Sequence, residues 1–149
     1  NKLDYKKNPS LRVIAVGLKE EARARQIGHA IGMSFQILDD ILDYEIDADQ
    51  FGKPVLEDVA QGVYTLPLIM ALSKKEKELL PLLQKRDLIS EVERKKVQQL
   101  VLKSGGVESA KELAEKYTNR ALQQIERLPE KNVRAMLLDI TSRLLQREY

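Results

Sequence analysis

The sequence predicts an all-α protein, and three observations carry that prediction. Apolar residues recur at three- and four-residue steps through most of the 149 residues, which is the period of a helix with one face turned inward. Leu, Glu, Lys, Gln and Ala dominate, while aromatic residues are scarce, with only two Phe and no Trp; these are the strong helix formers. Ser-x-x-Glu and Ser-Gly-Gly patterns punctuate the periodic stretches where helices would start and stop. A chain of this length is large enough for one domain with a real core, so residues 1–149 are read as a single all-α unit.

The elements follow in order. Asn1 to Ser10 is polar, with Asn8-Pro9 as a breaker, and is expected to be a loop or frayed end. Leu11 to Leu18 is a short apolar run read as helical because the rest of the chain is. Lys19 to Tyr44 reads as one long helix: no Pro interrupts it, and Glu20 and Glu21 near its start complement the helix dipole. Asp47, Asp49 and Gly52 mark the turn that follows. Asp58 is placed either as the cap of a short turn or pointing at the same site as the acidic residues before it. Thr65 is the expected N-cap of Leu66 to Leu72, with Pro67 in the first turn where it is tolerated. Ser73 with Glu76, and Ser90 with Glu93, are capping-box patterns expected to open helices near Lys74 to Gln84 and Glu91 to Lys103. Ser104-Gly105-Gly106 ends the second of these. Val107 to Leu128 is the next helix, with Ala110, Leu113, Ala114, Tyr117, Ala121, Leu122 and Ile125 facing inward. Asn132 to Arg147 is the last, using Val133, Met136, Leu137, Ile140, Leu144 and Leu145.

The chemistry concentrates between Gly32 and Pro54. Ile31, Ser34, Phe35, Leu38, Ile41 and Leu42 form one helical stripe, and Met33, Ile37 and Tyr44 add apolar surface on its flanks. Against them Gln36, Asp39, Asp40 and Asp43 stand at i, i+3, i+4 and i+7, on one narrow strip that the apolar surroundings would turn toward an interior. Arg25, His29 and Gly32 extend that strip backwards. Carboxylates on adjacent turns repel one another and lose solvation unless a cation lies between them. With neither His nor Cys beside them, their oxygens suit a hard divalent ion. Mg²⁺ in particular binds through one or two carboxylates, waters and substrate phosphates. The alternative is a solvated acidic face. For His29 the alternative is an ordinary hydrogen-bonded helix histidine, and Gly32, costly inside a helix, is expected to permit a close approach. Lys53, between Gly52 and Pro54, is held in extended backbone; a loop lysine on its own is usually just solvated.

Composition excludes other classes. Twenty-five basic and 23 acidic residues leave a formal charge of +2, with no basic block to favour nucleic acid. The longest apolar run falls well short of the roughly 20 residues of a membrane span. The chain has no cysteine, which rules out disulfides and thiolate metal sites and suits a reducing cytoplasm. Its first residue is Asn rather than Met, so a processed or partial chain is expected.

The residues Phe35-Gln36-Ile37-Leu38-Asp39-Asp40, then Gly52-Lys53-Pro54, Asp58 and Gly62 to Pro67, occur in an order and spacing that resemble the C-terminal half of the trans-isoprenyl (polyprenyl) diphosphate synthases. Ser104-Gly105-Gly106 and the A-x-x-Y-x-x-x-A pattern from Ala114 to Ala121 continue the likeness, which covers nearly everything after about Arg25. It implies an isoprenoid-synthase-like helix bundle around a cavity, of which this chain is the C-terminal portion. It implies a prenyltransferase that joins isopentenyl diphosphate to an allylic diphosphate with Mg²⁺. Asp39 and Asp40 would be catalytic metal ligands and Asp43 a secondary one. Gln36 would contact the substrate, Lys53 the diphosphate, and Phe35 the homoallylic side. The family's domain is about twice this length, and its first DDxxD and isopentenyl-diphosphate-binding basic residues belong to an N-terminal half. No second DDxxD and no Lys-Thr pair of the family's upstream helix occur here. The resemblance therefore implies a chain inactive by itself, completed by a missing N-terminal half or a partner chain in a homo- or heterodimer. A non-catalytic subunit or remnant of a synthase and a class I terpene cyclase are the alternatives.

Overall fold

In the computed structural model, residues 9–45 and 56–146 are described. Among them the regular elements are helices α1 (Pro9–Glu45), α2 (Glu57–Ala60), α3 (Leu66–Leu83), a 3-10 turn (Arg86–Leu88), α4 (Glu91–Ser104), α5 (Gly106–Glu126) and α6 (Lys131–Leu145), with no strand. The all-α expectation holds. No helix among the described residues is long and apolar enough to cross a membrane. Pro9 and Ser10, expected in a loop, open α1 instead; a proline in the first helical turn loses no intrahelical bond, so it starts this helix rather than breaking it.

The chain divides into two compact parts, Asn1–Met33 with Lys116–Tyr149, and Ser34–Glu115. In the first, Ile27 of α1 and Ile125 and Leu128 form a buried cluster against which Ile31, Val133 and Leu137 pack. Arg23 secures it by pairing with Glu20 at 2.8 Å and donating to the Arg127 carbonyl at 2.9 Å. The inward face expected for the last helix is only partly right. Met136, Ile140 and Leu144 are exposed, Met136 by 56%, whereas Thr141 is buried. Val133, Leu137, Thr141 and Leu145 make the covered line at four-residue steps. Thr141 fits on it because its hydroxyl donates to the Leu137 carbonyl at 2.7 Å.

In the second part, the end of α1 contributes Ser34, Ile37, Ile41 and Tyr44 to a core with Leu68 and Ala71 of α3, Val97 and Val101 of α4, and Val107, Ala110 and Ala114 of α5. Ser34 is tolerated there because its hydroxyl donates to the Ala114 carbonyl at 3.0 Å. The Ser90–Glu93 capping box forms as expected, with both reciprocal bonds at 3.1 and 3.2 Å. Gly105, at φ 81°, adopts the left-handed conformation that ends α4. Gly106 then lies so near the Pro67 carbonyl and Ala71 that a side chain has no room. The helix expected to open near Lys74 is present as the second of two helical segments that join across a kink at Lys75 (φ −126°) within α3. The Ser73 hydroxyl donates back to the Met70 carbonyl at 2.7 Å. Thr65 occupies the N-cap position of α3 without a capping bond from its side chain.

Candidate functional site

The rotation of α1 is fixed by a seam of buried residues, Ile27, Ala30, Ser34, Ile37, Ile41 and Tyr44, alternating three- and four-residue steps as a packed helix face must. That seam sets where the polar strip goes. Gln36, Asp39 and Asp43 are exposed and Asp40 is half-buried on the shoulder of the core. The strip was expected to face an interior, and within the described chain it faces outward. The reason is that Ile37 and Tyr44, read as flanks, are the core, while Phe35, Leu38 and Leu42 are only half-covered on the far side of the strip.

Asp40 is the electrostatic centre of this face. Gln36 Nε2 donates to its Oδ1 at 3.0 Å. Burial is the main reason its carboxyl is held above the usual aspartate value; the Gln36 bond opposes this, and the charges of Asp39 and Asp58 add to it. Asp58 stands in the first turn of α2, so a second element brings a carboxylate toward Asp40. Of the two placements open for Asp58, its electrostatic effect on Asp40 favours the one at the acidic site.

Beside this group lies a hollow of about 400 Å³, lined by Asp43, Tyr44, Glu57, Asp58, Val63 and Thr65 among others. Tyr44 is buried, and its hydroxyl hydrogen-bonds with that of Thr65. Burial pushes this phenol up to about 12, with the Thr65 bond lowering it and the charges of Asp43 and Asp40 raising it. Thr65 thus uses its hydroxyl on Tyr44 instead of capping α3. Gln98 Nε2 donates to the Tyr44 carbonyl at 3.3 Å, and Lys111 pairs with Glu45, so α4 and α5 both tie down the end of α1. Leu56, which precedes α2, has φ 49° and ψ 46°. A left-handed backbone at a non-glycine residue costs about 1–2 kcal/mol, and here it immediately precedes the turn that carries Asp58. The sequence reading missed Tyr44 and Glu57 as site residues; the four-residue step from Asp40 to Tyr44 was the available signal.

The other expected residues divide. Phe35 is half-buried. Arg25 is exposed and paired with Glu21. His29 is exposed, its ring edge-on to Tyr117 with centroids 6.1 Å apart. At Gly32 a Cβ would meet nothing within 4 Å, so the described residues do not supply the expected close approach. Gly52, Lys53 and Pro54 lie outside the described residues.

Among the described residues, no three carboxylate or imidazole groups gather closely enough to enclose an ion. The donor set nevertheless fits Mg²⁺, which takes one or two carboxylates and fills its octahedron with water and phosphate oxygens. A half-buried Asp40, with Asp39 and Asp58 acting on it electrostatically, is a place where a cation relieves repulsion.

The polyprenyl synthetase family model matches residues 9–101. The chain belongs to the polyprenyl synthetase family. Among its relatives, the all-trans-nonaprenyl-diphosphate synthase (geranyl-diphosphate specific) of Rhodobacter capsulatus is 39% identical over 85% of this chain and 39% of that protein. Component 2 of the heptaprenyl diphosphate synthase of Geobacillus stearothermophilus is 32% identical over 93% of this chain and 44% of that one. The crystal structure of geranylgeranyl pyrophosphate synthase from Lactobacillus brevis, complexed with citrate, superposes with a TM-score of 0.79 at 45% identity, over 85% of this chain and 41% of that one. The chain thus spans less than half the length of these polyprenyl synthetase relatives.

Proposed function

We propose that the protein containing this chain is a transferase that condenses isopentenyl diphosphate with an allylic diphosphate to give a longer trans-polyprenyl diphosphate, and that this chain supplies the second acidic wall of the site. The observation that carries the reading is that carboxylates on two elements, Asp39 of α1 and Asp58 of α2, both act electrostatically on the half-buried Asp40. Asp39 and Asp40 would hold Mg²⁺, with Asp43 and Asp58 in supporting positions. A bound Mg²⁺ would neutralise the negative charge of the leaving diphosphate. Gln36 orients Asp40 and offers its amide to the substrate head. Lys53 contributes a point charge to the diphosphate. Phe35, with Leu38 and Leu42, would present apolar surface that keeps water from the reacting carbons.

The first acidic wall and the residues that grip isopentenyl diphosphate would come from sequence beyond the matched part, in the same protein or in a partner chain of a homo- or heterodimer. The relative that is itself a component of a synthase supports a partner as one source. A cysteine-free sequence suits a cytoplasmic enzyme.

The test is turnover of both substrates by the full-length protein with and without Mg²⁺. Asp39→Asn and Asp40→Asn should each lower kcat by a factor equivalent to several kcal/mol, with the fold retained by circular dichroism. Near-normal turnover of Asp40→Asn at saturating substrates would remove the assignment.

A further inference from the structure

A second polar hollow, of about 280 Å³, opens in the part formed by Asn1–Met33 and Lys116–Tyr149. Its walls are Gln26 and His29 of α1 and Tyr117, Arg120, Gln123 and Gln124 of α5. The buried Ala30 also lines it. From these residues we infer a binding site for a small oxyanion of the phosphate or diphosphate class, separate from the acidic strip.

Three features of the hollow lead there. No Asp or Glu lines it, so the field inside is set by Arg120 and by amide, imidazole and phenol groups. Lys116 stands one turn before Arg120 on the same helix face and adds to that sign. The acidic residues nearest on α1, Glu20 and Glu21, are already engaged by Arg23 and Arg25. Arg120 is held in place without being neutralised: its guanidinium lies 5.3 Å from the Tyr117 ring centroid, and among the described residues it pairs with no carboxylate. A cation over an aromatic face keeps its N–H donors directed outward in a plane, the geometry that takes two oxygens of a phosphate or carboxylate at once. His29, its ring T-shaped to the same Tyr117 ring, adds an imidazole donor, and the glutamine amides supply further N–H groups at the walls. The size admits one or two phosphoryl groups.

The binding needs no metal, whereas a diphosphate at the acidic strip does, so a chelator separates the two. Inorganic diphosphate and inorganic phosphate are titrated by calorimetry into the full-length protein in EDTA, for wild type, Arg120→Gln and the exposed control Lys103→Gln. Wild type should bind at least one of the two anions. Arg120→Gln should weaken that binding about tenfold or more, as expected for a lost bidentate charge-assisted contact. Lys103→Gln, which removes the same charge elsewhere, should change it less than about twofold. Gln123→Glu, at an exposed wall position, should weaken it as well without touching Arg120, which guards against a folding defect in one variant. Absence of binding by both anions, or an equal loss in Lys103→Gln and Arg120→Gln, overturns the site. Neither result bears on turnover at the acidic strip.

Discussion

Two glycines should respond to the same substitution with opposite signs. Gly106 opens α5, and a Cβ built there would fall inside the Pro67 carbonyl oxygen and within 3.3 Å of the Ala71 Cβ. Neither neighbour is the tip of a flexible side chain; one is backbone and the other is the Cβ of Ala71, itself at 0% exposure. Gly106→Ala therefore has to push the start of α5 away from the start of α3, and overpacking of that kind costs about 1–3 kcal/mol. The helix-propensity gain of roughly 1 kcal/mol does not offset the upper part of that range. Gly32 sits in the interior of α1 with nothing within 4 Å of its Cβ position, so Gly32→Ala keeps only the gain, about 1 kcal/mol of added stability. For a chain of this length each kcal/mol moves Tm by about 2–4 °C. Urea unfolding followed by circular dichroism, with m-values compared to confirm that only the midpoint moves, reads both. A stabilised Gly106→Ala would mean that the α3–α5 approach is looser than its geometry. A destabilised Gly32→Ala would mean that something presses on that face of α1 after all.

Two further outcomes follow from the titrating groups at the acidic end of α1. Asp40 carries a folded pKa above its ordinary value, so the native state holds more protons across that window and stability falls as pH rises through it. In EDTA, Asp40→Asn should flatten this slope and be no less stable than wild type at neutral pH, and if the proposed site holds Mg²⁺, adding it should raise the Tm of wild type but not of the variant; an unchanged slope would remove Asp40 as its source. Tyr44→Phe should lose about 1–2 kcal/mol at neutral pH through the broken bond to Thr65. Because the phenol moves from 10.0 to about 12, wild type should shed about 3 kcal/mol between those pH values that the Phe variant keeps. Stability curves that stay parallel across that range would place the Tyr44 hydroxyl in water.

Local signals were legible and non-local ones were not. The Ser90–Glu93 box and the Gly105 stop involve residues a few positions apart, and both form as read. Ser73 with Glu76 has the same spacing and marks the place where two helical segments meet at Lys75, although the Ser73 hydroxyl donates back to Met70. The face of α1 was misread because apolar residues cover more than half of its circumference. Periodicity alone then has no way to prefer Phe35 and Leu42 over Ile37 and Tyr44. Ser34 was read on the stripe and is buried there, its hydroxyl accommodated by a bond to Ala114, 80 residues away. In α6, Thr141 marks the covered line that Met136 and Ile140 were expected to make. Asp58 follows a left-handed turn at Leu56, a conformation that nothing about a leucine announces.

The misread face bears directly on how the site is built. Aspartate has a single methylene between backbone and carboxylate, so where its oxygens go is decided almost wholly by the backbone that carries it. A site made of Asp39, Asp40 and Asp58 therefore requires that α1 neither roll nor slide. The buried seam from Ile27 to Tyr44 prevents rolling, since a rotation by one residue would bring polar side chains into the core. Sliding is opposed at the acidic end by Gln98 on the Tyr44 carbonyl, Lys111 on Glu45, and the Tyr44–Thr65 bond. These anchors come from α4, α5 and the start of α3, so three helices fix the reach of carboxylates that none of them provides. That division, with anchoring on one side of α1 and carboxylates on the other, suits the proposed metal-dependent site, because preorganised oxygens bind an ion without first having to be gathered.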